Sequence, residues 1–217
     1  MFNYQGRMKE LCGDLAECKF PLGYFGNMRL WDYERVMENG EFKDSDVVLE
    51  CGGLHSYFSI YAAQFVQKYI CTDNFYWQGR GYSHPKTHQT NEEWCRYIES
   101  KGSGKIIGEC ADIQKLHYGD STFDKVVCIS TLEHVIDDKA GMKEMVRVLK
   151  PGGLLLLTTE YNPNWSKSYS EIDGSYYRVY DKAGLQELLK DFIVESILYP
   201  EGLRKGEFGT LFVKVRK

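Results

Sequence analysis

The stretch DVVLECGGLHSYFSIYAAQFVQKYICTD, Asp46 to Asp73, reads as strand, tight turn, helix and second strand. Asp46 to Cys51 is a β-branched and aliphatic run, and Gly52 with Gly53 supplies the turn. Phe58, Tyr61, Ala62 and Phe65 then fall at i, i+3, i+4 and i+7, which predicts a helix from about Ser56 with one buried stripe. Tyr69 to Thr72 is the second strand. Two strands joined through a helix pair in parallel, so this unit sets the fold class.

Working outward, the alternation continues. TNEE at Thr90 to Glu93 is a capping box that starts a helix ending before Gly102. Lys105 to Glu109 and Lys125 to Ile129 read as strands three and four, apolar enough to be buried on both faces. Met142, Met145, Val146 and Leu149 form the stripe of the next helix, which Pro151-Gly152-Gly153 is expected to stop before strand five, Leu154 to Thr159. A helix N-capped by Asp181, with Leu185, Leu188, Leu189 and Phe192 inward, precedes two closing strands, Ile193 to Leu198 and Thr210 to Val215. The expected fold is a doubly wound α/β sheet of seven strands, covering residues 46–217. Residues 1–45 read as helical or irregular cover, with Leu30 to Met37 the helix. The links at 75–90 and 161–180 are too long for plain connections, and their aromatic content suits lids over a ligand.

Composition narrows the function. With 27 Lys and Arg against 31 Asp and Glu the net charge is −4, and no basic cluster stands out, so a nucleic-acid backbone is not the expected partner. No apolar run approaches the roughly 20 residues of a membrane span, and the opening MFNYQGRMKE lacks a secretory layout, so a cytoplasmic location is expected. The 7 cysteines include no C-x-x-C pair, which argues for free thiols. His84 and His88 have metal-ligand spacing but lie in a Gly- and Pro-containing loop, and no metal is expected.

Ligands of an open parallel sheet bind beyond the carboxyl ends of its strands. The first strand ends at Glu50, Gly52 and Gly53. The second ends at Asp73, about 20 residues beyond Glu50, where a carboxylate accepts from two ribose hydroxyls. A glycine turn is also needed with no ligand present, so this pattern alone leaves both readings open.

ADIQKLHYGDSTFDKVVCISTLEHV, Ala111 to Val135, and MVRVLKPGGLLLLTTE, Met145 to Glu160, then follow in order. Over roughly residues 46–160 the chain resembles the class I S-adenosylmethionine-dependent methyltransferases, in particular the small group with LEHV and LKPGG signatures. The resemblance implies a Rossmann-like sheet with an antiparallel last strand, and S-adenosylmethionine as cofactor with S-adenosylhomocysteine as product. It implies that Glu50, Gly52 and Gly53 hold the methionine part and Asp73 the ribose. Asp112 and Ile113 fall at the adenine, and Ser130 beside the transferring methyl group. His55 would face the cofactor's carboxylate. Lys150 to Gly153 match a structural turn. Leu54 and Ser56 stand where the family usually has glycines, and a side chain at Leu54 would crowd the amino-acid end. Some relatives carry an extra metal-binding acid at the position held here by Ser130.

The implied reaction is methyl transfer, read here as O-methylation of a small molecule or a sugar or glycan precursor. A hydroxyl acceptor must lose a proton, and His134 is the candidate base, with His55 and His117 behind it. The competing reading of His134 is a hydrogen bond to nearby backbone. Tyr161, Trp165, Tyr177 and Arg178 are the candidate acceptor-binding residues, although loop packing accounts for the same composition. Trp31 and Tyr33 are placed to close over the cofactor, or to pack in the core. The alternative function is a methyltransferase-fold binding protein without turnover, suggested by Leu54 and Ser56. A nicotinamide dehydrogenase is disfavoured, because the glycines are adjacent with no G-x-G-x-x-G.

Overall fold

The computed structural model describes residues 25–53, 58–75, 90–165, 170–172, 175–203 and 207–217. In chain order the elements are α1 (Phe25–Asn39), β1 (Val47–Cys51), α2 (Phe58–Ala62), β2 (Lys68–Asp73), α3 (Asn91–Lys101), β3 (Ile106–Cys110), β4 (Phe123–Ile129), α4 (Asp138–Val148), β5 (Leu149–Tyr161), β6 (Ser170–Ile172), β7 (Ser175–Tyr177), α5 (Lys182–Leu189), β8 (Ile193–Leu198) and β9 (Gly209–Arg216). The main sheet has seven strands in the order β3-β2-β1-β4-β5-β9-β8. Only β9 runs against the others, pairing antiparallel with both β5 and β8. The order reverses between β1 and β4, so the crevice of the fold opens beyond the ends of those two strands.

The apolar runs at the centre follow from burial on both faces. Leu155 and Leu157 enter one core with Met142 and Met145 of α4 and Leu185 and Leu188 of α5. Leu154 and Leu156 enter the other with Tyr33 and Val36 of α1, Phe58 and Tyr61 of α2, and Trp94 and Ile98 of α3. All four leucines are fully buried, each stabilising the fold by roughly 1.5–3 kcal/mol. The helix α1 therefore belongs to the same core as the strands.

The capping box forms as predicted. Thr90 Oγ1 accepts from the Glu93 amide at 3.2 Å while the Glu93 carboxylate accepts from the Thr90 amide at 3.1 Å, and α3 ends at Gly102. Asp181 caps α5 by accepting from Gly184 N at 2.7 Å. Four expectations need correction. Among the described residues the helix after Gly53 is α-helical only over Phe58–Ala62 and then tightens into a 3₁₀ turn at Ala63–Phe65. β3 is the edge strand and is only partly buried, because among the described residues nothing pairs with its outer side. α4 stops at Val148, before Pro151-Gly152-Gly153, which lies inside β5 as a bulge. Phe123 pairs with Leu149 and Lys125 with Leu154, and Gly152 takes φ +79° there. Finally, the 161–180 link contains the β6–β7 hairpin. Of the 75–90 link, residues 76–89, with His84 and His88, lie outside the described residues, as do Leu54, His55 and Ser56. Among the described residues no helix is long and apolar enough to cross a membrane.

Candidate active site

Gly52 and Gly53 are shaped by their own chain. Gly52 has φ +81°, and a Cβ there would fall 2.1 Å from Thr131 Oγ1. A Cβ on Gly53 would fall 2.1 Å from Cys71 Sγ. Both amides donate to Thr72 O at 2.8 Å, which ties the turn to the end of β2. Beneath the turn Glu50 is fully buried and accepts from Tyr69 Oη at 3.0 Å and from Cys71 Sγ at 3.6 Å. Burial, and then the Glu50 charge, push the Tyr69 phenol and the Cys71 thiol well above their usual ranges, so both stay protonated as donors.

Asp73 and Asp112 lie at the ends of neighbouring strands. Asp73 pairs in register with Cys110, and Ala111 N donates to Asp73 O at 3.0 Å, which brings Asp112 just beyond the neighbouring strand end. Asp73 is largely buried and its Oδ1 accepts from Phe75 N at 2.6 Å, an Asx turn that fixes the carboxylate. Phe75 takes φ 57° to make that bond and packs edge-on to Trp94 at 5.4 Å. Asp112 Oδ1 accepts from Gln114 N at 2.9 Å, and Ile113 is buried among the residues around α4. Two carboxylates on adjacent strand ends match the donors of a nucleoside, the ribose hydroxyls and the exocyclic amine, so the residues present fit S-adenosylmethionine at this end.

At the end of β4, Ser130 is forced into φ 41°, a region that a non-glycine residue enters only when its surroundings fix it. Its amide donates to Thr158 O at 3.0 Å and to Thr158 Oγ1 at 3.1 Å, and its hydroxyl donates to Asp32 Oδ2 at 3.2 Å. Asp32, fully buried on α1, was not singled out by the sequence. Its neighbours Trp31 and Tyr33 were; Tyr33 packs on Phe58 at 5.5 Å, and Trp31 stacks under the Arg35 guanidinium at 5.8 Å.

His134 ends a 3₁₀ turn, Leu132–His134, that follows β4. Its Nδ1 lies 3.1 Å from Tyr176 O of β7. A carbonyl only accepts, so this contact puts the proton of the neutral ring on Nδ1 and leaves Nε2 as the basic nitrogen. The backbone bond is therefore present, and it is compatible with a base at Nε2. The ring lies 5.4 Å from that of Tyr177, which lies 5.8 Å from Phe208, which meets Trp165 edge-on at 5.9 Å. Of the predicted acceptor residues, Tyr177 lies next to His134, and Trp165 is linked to Tyr177 through Phe208. Phe208, in the segment before β9, links these two rings and was not singled out by the sequence. Tyr161 is separate, buried and paired with Tyr199 at 5.2 Å. The Arg178 guanidinium engages Asp138 and Tyr176. His117 pairs with Glu109 at 3.2 Å on the edge strand. Among the described residues no group of three His, Cys, Asp or Glu is placed to hold a metal ion.

Residues 85–157 match the family model of a methyltransferase domain. The chain is 40% identical over 65 residues to the demethylmenaquinone methyltransferase of Corynebacterium urealyticum, covering 29% of this chain and 28% of that protein. It is 29% identical over 101 residues to the ubiquinone/menaquinone biosynthesis C-methyltransferase UbiE of Geobacter sulfurreducens, covering 43% and 39%. The matches thus span well under half of each relative. The 1,6-didemethyltoxoflavin-N1-methyltransferase of Burkholderia thailandensis, solved with S-adenosylhomocysteine and its acceptor, aligns over 100% of this chain and 91% of its own, with TM-score 0.67 and 16% identity. Residues 85–157 are thus similar to a methyltransferase domain, and they lie in a fold that the chain shares with that solved methyltransferase.

Proposed function

We propose that this protein binds S-adenosylmethionine beyond the ends of β1 to β4 and methylates a hydroxyl oxygen of a ring-shaped small molecule, a sugar or glycan precursor included. When bound, the cofactor supplies a sulfonium-activated methyl group, and displacement by the acceptor leaves S-adenosylhomocysteine. In this reading Asp73 accepts from the ribose hydroxyls, Asp112 accepts from the adenine amine, and Ile113 N donates to the adenine ring. Gly52, Gly53 and Glu50 shape the turn at the methionine end, and Ser130 borders the reacting centre. His134 Nε2 takes the hydroxyl proton as the new carbon–oxygen bond forms. Trp165, Tyr177 and Phe208 present flat faces to the acceptor ring and keep water away.

The observation that carries the reading is the His134 to Tyr176 contact, which puts the ring proton on Nδ1 and makes Nε2 the basic nitrogen, with the Tyr177 ring 5.4 Å from the imidazole. Incubation with methyl-labelled S-adenosylmethionine and a panel of hydroxylated rings tests it. Labelled product is expected from the parent, and a loss of roughly a hundredfold or more in turnover from His134→Ala. A second reading, transfer to a ring carbon, is favoured by the names of the matched relatives. The same base would then ionise a hydroxyl that activates the ring, and NMR of the product separates a methoxy from a C-methyl group. Tight cofactor binding with no transfer to any acceptor would instead favour the binding-protein reading.

A further inference from the structure

We propose that Arg178 and Asp138 are positioning residues for His134, clamping β7 so that the Tyr176 carbonyl holds the Nδ1 proton and Nε2 stays basic; this rests on His134 being the base. The ties form one continuous path. The Arg178 guanidinium bonds Asp138 through one branch and the Tyr176 hydroxyl through the other, with Ile136 O at 3.4 Å on that second branch. It also lies over the Tyr176 ring at 4.9 Å and the Tyr180 ring at 5.5 Å. Tyr180 Oη donates to the same Asp138 oxygen at 2.8 Å. The Arg178 amide donates to Glu133 O at 2.9 Å, one residue from His134. One backbone tie, Arg178 N to Glu133 O, and one side-chain tie, His134 Nδ1 to Tyr176 O, therefore bind β7 and the residue after it to the 3₁₀ turn, and the Arg178–Asp138 pair fixes this segment to the first turn of α4.

Several features suit this duty rather than acceptor contact. Both guanidinium branches are already engaged within the protein. The side chains of Arg178 and Asp138 are only 14% and 15% exposed, which strengthens the pair over one in water. The task also needs a fork, since one planar group spans a carboxylate and a phenol; a lysine ammonium is a compact charge on a flexible stem and holds one of them at a time. A histidine base of the wrong tautomer keeps its place and loses its function, so control of one proton is worth a dedicated clamp. Tyr177, whose ring lies tilted 5.4 Å from that of His134, rides on the same strand and is positioned with it.

The test is the ¹⁵N spectrum of histidine-labelled protein at a pH where the imidazoles are neutral, with the His134 signals assigned by loss in His134→Gln. The parent should show Nδ1 protonated and Nε2 bare. Arg178→Met and Asp138→Asn should raise the Nε2-protonated form severalfold and lower kcat on the order of tenfold or more, with S-adenosylhomocysteine affinity within about twofold. Arg178→Lys, which keeps the charge, should fall between parent and Arg178→Met, and it serves as the probe if the methionine variant fails to fold. An unchanged His134 spectrum in folded Arg178→Lys and Asp138→Asn overturns the clamp, whatever the activity. Full turnover by His134→Ala sinks the base reading instead, with the spectrum still reporting on the clamp.

Discussion

The Ser130 hydroxyl donates to the Asp32 carboxylate at 3.2 Å with both residues buried, joining α1 to the end of β4 across 98 residues of sequence. Ser130 is also the residue whose backbone is held at φ 41°. The N-terminal helix thus helps to hold the strand end that borders the proposed methyl-transfer point. Asp32→Ala should lower unfolding free energy by about 1.5–3 kcal/mol, the scale of a buried hydrogen bond to a charged group. Urea titration checks this, and a change under about 0.5 kcal/mol would show the contact to be incidental.

Gly53 faces Cys71 Sγ at a distance no Cβ can share. Gly53→Ala should destabilise by roughly 1–3 kcal/mol through overpacking. Combining it with Cys71→Ala should recover much of that loss, since the clashing atom is gone. Additive losses in the double variant would mean that something other than Cys71 demands the glycine.

The row of rings from His134 to Trp165 gives a prediction about the acceptor alone. Tyr177→Ala and Phe208→Ala should each raise the acceptor KM by roughly fivefold, the scale of about 1 kcal/mol for one aromatic contact. S-adenosylhomocysteine affinity, read by calorimetry, should stay within twofold of the parent. Equal loss of both ligands would place these rings in the fold rather than at the acceptor.

Acid should weaken the protein through Glu144. Its hydrogen bonds to Arg147, and then the one from Leu116 N, hold its carboxyl below the usual value of 4.5. A lowered folded value means that the stabilisation is complete above about pH 4.5 and is lost as pH falls through the folded value. Urea midpoints taken from pH 7 down to pH 3 should fall, and fall less steeply in Glu144→Gln. Parallel curves for parent and variant would remove Glu144 as a source of the acid sensitivity.

What was legible in the sequence was what local periodicity encodes. Leu154 to Leu157 read as a strand because neighbours cover both faces, and Thr90 with Glu93 read as a cap because the partners lie within one turn. The place of Asp73 at a strand end was legible because strand ends are countable once the strands are placed, whereas Asp112 was named only through the family resemblance. Asp32 was not, since a polar residue on a short helix gives no sign that a serine far along the chain will bury it. The β6–β7 hairpin escaped because strands of 3 residues carry no period. Without that hairpin neither the Tyr176 carbonyl nor the bonds of Arg178 could be assigned. The Pro-Gly-Gly segment was misread as a helix stop for a related reason: those residues also suit a bulge, and the strand they bend is decided by pairing with β4.

The central claim is that Asp73 and Asp112 grip one nucleoside. Titration of S-adenosylhomocysteine into the parent by calorimetry, with Asp73→Ala in parallel, tests it most directly. The account predicts saturable binding at one site in the parent and affinity lower by at least about tenfold in the variant, the loss of a hydrogen bond to a charged group. Absence of heat in the parent at millimolar ligand, or equal affinity in the two proteins, would contradict it.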